Sequence, residues 1–228
     1  SEIKKIFSKN KIKIIEDSAE TLGASVNNKF TGSFGTGCFS FFPTKNITTT
    51  EGGMLTTNNK STYNYVQKLI AHGIDKSKKK SFWNREAVLP GHNFRMPNHL
   101  ASLGLSQLKK LKKFNLKRNK IANIYNRELK KLSKYISLPL VPKGFSHSYQ
   151  MYTIRVSARI KKSLLLYLKQ KRIEASSHFD PPLHLQKYLN KYMRQPLPNT
   201  EKLAREIVTL PIYPDMKPKE VNYVITNI

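Results

Sequence analysis

Apolar residues recur along this chain at changing spacings, and the changes divide it into elements. Residues 12–16 form a short β-branched run that stops at Asp17, the pattern of a buried parallel strand delivering a carboxylate at its C-terminal end. Residues 37–42 and 54–58 predict two more strands. Gly32, Gly35 and Gly37 punctuate the approach to the first, and Gly52-Gly53 bends the chain into the second. Residues 63–72 predict a helix, followed by a basic, polar loop over 73–83. From Asn98, a capping residue type, one long helix is predicted through about 132, because Ala101, Leu105, Leu108 and Leu111, then Ile121, Tyr125, Leu129 and Leu132, recur at helical spacing. That stripe reads as core or dimer seam, with Lys109, Lys110, Lys112 and Lys113 on its solvated side. Further on, 149–156 predicts a strand, 161–171 a helix, 173–179 another strand, and 201–210 and 219–228 two closing helices, together a small α/β domain.

Composition changes this picture little. A chain of 228 residues buries one sizeable core or two small ones. The excess of 41 basic over 14 acidic residues, a net charge of +27, invites a nucleic-acid or anionic-membrane partner. The basic residues, however, are 32 Lys against 9 Arg, spread from end to end, whereas bidentate recognition of bases and phosphates favours Arg. The aromatics alternate with apolar residues inside the predicted strands instead of interleaving with an exposed basic face. An AT-rich coding bias, which also explains the many Asn and Ile, accounts for the charge, and neither nucleic acid nor membrane is expected as a partner. The lone cysteine, Cys38, excludes an internal disulfide and any cysteine-based metal cluster, and fits a small apolar strand position in a reducing cytoplasm. No apolar run approaches the roughly 20 residues a bilayer requires, and no signal-peptide core stands at the start. His147, His178 and His184 have no metal-ligand spacing with Cys or acidic clusters, so no metal is expected.

The candidate chemistry lies in the first fifty residues. Alone, Lys45 is one of 32 lysines and Asp17 a helix cap. Together, a lysine after the run Gly37-Cys38-Phe39-Ser40-Phe41-Phe42-Pro43-Thr44 and a carboxylate closing an earlier strand match the two polar ends of a pyridoxal phosphate site. The amine takes the cofactor aldehyde as a Schiff base, and the carboxylate keeps the pyridine nitrogen protonated so that the ring draws electrons from the substrate carbon.

The surrounding motifs carry a resemblance. Ile14-Ile15-Glu16-Asp17-Ser18-Ala19-Glu20-Thr21-Leu22-Gly23-Ala24, Ser40-Phe41-Phe42-Pro43-Thr44-Lys45-Asn46 and Thr50-Glu51-Gly52-Gly53-Met54 come first. Gly91-His92-Asn93-Phe94-Arg95, the helix from Ala101 to Leu111, His147-Ser148-Tyr149, the segment from His178 to His184 and Leu210-Pro211-Ile212-Tyr213 follow in order. Across essentially its whole length the chain resembles the fold type I, DegT/DnrJ/StrS-type aminotransferases that act on nucleotide-linked keto sugars.

The resemblance implies an α/β fold: part of a pyridoxal-phosphate-dependent transferase large domain, three-layered with a mostly parallel sheet, over 1–108, then a connecting long helix and a small C-terminal α/β domain over 109–228. It implies Lys45 as the Schiff-base lysine and catalytic proton carrier, Asp17 on the pyridinium nitrogen, Ala19 against a ring face and Glu20 near the cofactor hydroxyl. Ser40 is implied on the phosphate, Asn93 on the same phosphate from a homodimer partner, and Phe179 and His184 on the nucleotide sugar. The implied reaction moves an amino group from glutamate or a similar donor through the cofactor to a nucleotide-linked keto sugar, in cytoplasmic polysaccharide biosynthesis. Relatives that dehydrate sugars carry His at the lysine position, so Lys45 argues for amino transfer. In the family a long stretch with a Gly-Thr phosphate turn and a ring-stacking aromatic precedes the Asp17 motif, so the sequence reads as the C-terminal part of a longer enzyme, whose remainder another chain could supply. Two alternatives stay open: a catalytically silent scaffold relative or fragment, and a basic nucleic-acid-binding protein.

Overall fold

In the computed structural model the described residues are 2–10, 12–75, 81, 83, 85–192 and 195–228. In chain order the elements are α1 (Glu2–Lys9), β1 (Ile15–Asp17), β2 (Ser25–Val26), β3 (Lys29–Phe30), β4 (Thr36–Ser40), β5 (Gly53–Thr56), α2 (Lys60–Leu69), α3 (Asn98–Leu108) and α4 (Leu111–Leu129). They continue with β6 (Ile136–Ser137), β7 (Phe145–Ser146), β8 (Tyr152–Val156), α5 (Ala158–Gln170), α6 (Pro198–Glu206), β9 (Ile207–Leu210) and α7 (Pro218–Thr226). Two compact units result: Ser1–Lys112 with Gly144–Ser146, and Lys113–Lys143 with His147–Ile228.

In the first unit, β1 runs parallel to β4 with Asp17 opposite Cys38, and β5 returns antiparallel on the far side of β4. A second small sheet, in the order β3-β2-β7, is antiparallel throughout. The expected burial of the first strand is corrected: β1 is an outer strand of its sheet and Ile15 is 76 % exposed. The β-branched run specified extended backbone, but burial also needs a neighbour on each face. Asn59 caps α2, its side-chain oxygen accepting from the Thr62 amide at 2.8 Å. Most of the basic loop read over 73–83 lies outside the described residues.

The single long helix is also corrected. α3 ends at Leu108, α4 begins at Leu111, and the residue capping α3 is Pro97 rather than Asn98. Lys109, Lys110, Lys112 and Lys113 crowd like charge at the break, and no Asp or Glu occurs between Asn98 and Arg127 to relieve it one turn away. The apolar stripe divides with the helix. Leu105 and Leu108 on α3 are exposed, whereas Ile121, Tyr125 and Leu129 on α4 are buried.

The second unit forms its core on the antiparallel sheet β6-β8-β9. Alternation along β8 sends Tyr152, Ile154 and Val156 inward, where they join Ala122, Tyr125 and Leu129 of α4, Leu168 of α5, Val208 and Leu210 of β9, and Val221 and Val224 of α7. Two buried side chains reach backbone carbonyls. The Tyr125 hydroxyl donates to the Pro211 carbonyl at 2.8 Å, and Arg118 Nη1 donates to the carbonyls of Ile212 at 2.7 Å, Tyr149 at 3.2 Å and Gln150 at 3.3 Å. Burial lowers the Arg118 pKa to about 10 and raises that of Tyr125 above its ordinary value. Leu129→Ala is expected to cost about 3 kcal/mol of unfolding free energy, read from a urea transition, because the fully enclosed site leaves a cavity.

Three further expectations change here. Residues 207–210, read as the end of a helix, are the strand β9, whose β-branched residues pair with β8 from Arg155 to Tyr152. The strand read over 173–179 shrinks to one bridge between Ser176 and Thr209, after which the chain turns away to other partners. The aromatics are not confined to strand interiors: Phe30, Trp83, Phe94 and Tyr188 are exposed. Lysine ammonium groups lie over the rings of Phe34, Tyr63, Tyr135, Tyr167 and Tyr192. Long lysine stems and charged tips cover ring faces that would otherwise meet water. The preponderance of Lys over Arg remains as the observation weighing against nucleic acid.

Candidate active site

Asp17 ends β1 and Ser40 ends the parallel strand β4, so both leave the sheet at its C-terminal edge, where open α/β sheets present ligand-binding groups. The chain then loops from Phe41 to Gly52 before β5 returns. This loop is fastened at both ends, since the Phe41 amide donates to the Gly52 carbonyl at 3.0 Å and the Thr49 amide donates to the Phe41 carbonyl at 3.0 Å. Within it, Asn46, Ile47 and Thr49 are buried. Lys45 sits on this anchored turn, its amide donating to the Phe42 carbonyl at 3.0 Å.

The Lys45 ammonium donates to Glu20 Oε1 at 2.9 Å, with only 14 % of the lysine side chain exposed. Sequence reading placed these two residues near one cofactor, and the structure brings them into contact. Asp17 Oδ1 accepts from the Ala19 amide at 3.1 Å, a local turn that fixes the carboxylate where β1 ends. Ser40 Oγ accepts from the Phe42 amide at 3.3 Å, which leaves its hydroxyl hydrogen to donate. Asn93 stands on a different segment, bridged to Ala71, beside the stacked rings of His92 and Phe94.

Glu16 has a role that the sequence reading did not assign. Its carboxylate accepts from the amides of Gly32 at 2.8 Å, Phe34 at 2.6 Å and Gly35 at 2.7 Å. Successive amides turned toward one anion form a nest, which the Gly32-Ser33-Phe34-Gly35 run makes possible. Two adjacent acids therefore divide the work: Glu16 fastens β1 to the turn before β4, and Asp17 stands exposed at the strand's end. The acid and the turn lie 16 to 19 positions apart, beyond the reach of local spacing.

Phe179 and His184 belong to the second unit. The Phe179 ring is exposed and lies edge-on to His178, centroids 5.2 Å apart. His184 Nε2 instead approaches Glu201 Oε1 at 3.4 Å and is largely covered. The Leu197 amide, together with His184, holds the Glu201 carboxyl below its ordinary pKa. His147 Nδ1 accepts from the Tyr149 amide at 2.9 Å, and burial lowers the pKa of its imidazole.

An amine, a carboxylate and a hydroxyl thus lie along one sheet edge. Residues 1–228 match the DegT/DnrJ/EryC1/StrS aminotransferase family. The chain belongs to this family. The uncharacterized protein MJ1066 of Methanocaldococcus jannaschii is 35 % identical over 240 residues, covering 100 % of this chain and 62 % of that protein. Helicobacter pylori PseC, an aminotransferase involved in the biosynthesis of pseudoaminic acid, superposes with a TM-score of 0.90 at 29 % identity, over 98 % of this chain and 60 % of its own. Spr1654 of Streptococcus pneumoniae, solved in a PLP form and a PMP form, is 26 % identical in both, with TM-scores of 0.85 and 0.86. Those two matches cover 94 % and 95 % of this chain and 56 % and 58 % of theirs. The chain thus spans about three fifths of the length of these relatives. Its fold is that of the pyridoxal-phosphate-dependent aminotransferases, and pyridoxal phosphate is the cofactor of the family to which it belongs. Among the described residues no group of His, Cys, Asp and Glu is placed to hold a metal ion, and no helix is long and apolar enough to cross a membrane.

Proposed function

We propose that this chain is part of an aminotransferase that moves an amino group from glutamate, or a similar donor, to a nucleotide-linked keto sugar. The observation that supports it is the presentation of Asp17, Ser40 and the Glu20-paired Lys45 amine along one sheet edge. Pyridoxal phosphate, when bound, supplies an aldehyde and an electron-withdrawing ring. The Lys45 Nζ would hold the aldehyde and, when its amine is free, would serve as the proton carrier at the site. Asp17 would keep the ring nitrogen protonated, Ala19 would leave room for a ring face, and Ser40 would donate to the phosphate. Glu20 meets Lys45 whenever its amine is free, and in that state the 2.9 Å ion pair keeps the lysine at the site.

Under this reading the first unit is the cofactor-binding part and the second carries Phe179 and His184 toward the nucleotide sugar. Asn93 serves the phosphate of a homodimer partner. The relatives' additional length carries, by resemblance, the Gly-Thr phosphate turn and the stacking aromatic. Co-expression with a polypeptide supplying those features is expected to raise activity above that of this chain alone.

Glutamate is expected to convert the loaded protein to its amino form, followed by absorbance, and a nucleotide-linked 3-keto or 4-keto hexose to reverse that change. Reversal by an ordinary 2-oxo acid but by no keto-sugar nucleotide would give the wrong substrate class. A protein that neither loads cofactor on Lys45 nor changes with glutamate would support a silent scaffold relative instead.

A further inference from the structure

Lys161 is a buried cation that the reaction above does not use. It lies in the first two turns of α5 and is 6 % exposed. Nothing in α5 itself favours a cation there, because the helix N-terminus carries partial positive charge, and burying an unpaired ammonium is costly. Its partners explain its presence. The Lys161 Nζ donates to the Ala204 carbonyl at 2.5 Å, to Ser177 Oγ at 2.8 Å and to Asp180 Oδ2 at 2.7 Å.

The first contact caps a helix. Ala204 lies in the last turn of α6, where carbonyls lack intrahelical partners and a cation is favoured. The other two flank the dipeptide His178-Phe179. Neighbouring residues are tied as well: the Ser176 amide donates to the Thr209 carbonyl at 3.1 Å, and the Thr209 amide donates to the Ser176 carbonyl at 2.7 Å. His178 Nδ1 lies 3.1 Å from Ser176 Oγ and 3.3 Å from Thr209 Oγ1. Residues 176, 177, 178 and 180 are therefore each fastened to β9, α5 or one another, while the Phe179 side chain at their centre is 65 % exposed. A rigidly mounted, exposed aromatic loses little conformational freedom on binding, which suits it to pack against a sugar or base face.

We propose that Lys161 is a positioning residue: through Ser177 and Asp180 it sets Phe179 for the nucleotide-sugar half of the reaction and takes no part in the amino-donor half. The proposal rests on the reading of the substrate as a nucleotide-linked sugar, and it assigns the Lys161–Asp180 pair an effect on only one of two half-reactions.

The two halves are separable by single-turnover absorbance in the protein loaded with pyridoxal phosphate, with a dTDP- or UDP-linked 4-keto hexose as probe. Asp180→Asn is expected to weaken the apparent affinity for the keto-sugar nucleotide roughly tenfold while the glutamate half changes less than about twofold. Lys161→Met should show the larger effect of the same kind, and Lys161→Arg should restore most of it. Asp180 is exposed, so Asp180→Asn carries the test even where Lys161→Met does not fold. A second measurement needs no activity and leaves the sequence around the cut unchanged: chymotrypsin cleavage after Phe179 in the unloaded chain should rise about tenfold or more in Lys161→Met, with cleavage at other aromatic sites unchanged. Unchanged keto-sugar affinity in Asp180→Asn, or equal slowing of both halves, overturns the positioning role. Unchanged cleavage after Phe179 overturns the clamp itself. Wild-type protein that loads cofactor and reacts with glutamate but ignores every keto-sugar nucleotide overturns the substrate reading, and the cleavage result then judges the clamp separately.

Discussion

Borohydride reduction of the protein loaded with pyridoxal phosphate is expected to fix the cofactor on Lys45, located by peptide mass mapping, and Lys45→Ala to lose both that label and turnover. The loss should exceed a factor of about a thousand, since on the proposed reading one nitrogen both holds the cofactor and carries the proton. Lys45→Arg sharpens the test. It keeps a cation for Glu20 to pair with but has no amine to condense with an aldehyde, so it should retain the fold and still take no label. Labelling of another of the 32 lysines would end the mechanism as stated.

Glu16→Ala should produce the largest loss of stability in the first unit. Three backbone amides lose a charged acceptor, at about 1.5 to 3 kcal/mol per bond for well-sheltered groups. Glu16 is only half-buried and water replaces part of the loss, so a net cost of about 3 kcal/mol is expected from urea unfolding. Glu16→Gln separates the contributions. Its carbonyl can still accept from Phe34 and Gly35, but its amide turns a donor toward the Gly32 N–H, giving about half the loss of Glu16→Ala. Equal stability of Glu16→Ala and wild type would show that the nest holds nothing together.

Much of this arrangement was legible in the sequence, and what escaped did so for identifiable reasons. The β-branched run before Asp17, the Gly37 to Ser40 strand and the Gly52-Gly53 bend put the lysine loop and the carboxylate at one sheet edge. The stripe on α3 and α4 looked uniform because periodicity reports which face of a helix is apolar, not what covers it. Leu129 found a core and Leu105 did not. Ile207 to Leu210 satisfied a helical spacing as well as a strand, and only pairing with β8 decided the outcome. The three amides on Glu16 and the three acceptors of Lys161 join residues between 16 and 43 positions apart, a separation at which composition and spacing carry no signal.

The way the loop between Phe41 and Gly52 is held bears on how such a site can diverge. Its fastenings are the backbone bonds at Phe41, Thr49 and Gly52 and the buried neighbours Asn46, Ile47 and Thr49, while the Lys45 side chain contributes one ion pair. The residue proposed to react and its supporting scaffold are thus encoded by different codons. A change confined to position 45 can alter the chemistry while the turn that presents it still folds, which makes this loop a place where a lineage can exchange one reaction for another in a single mutational step.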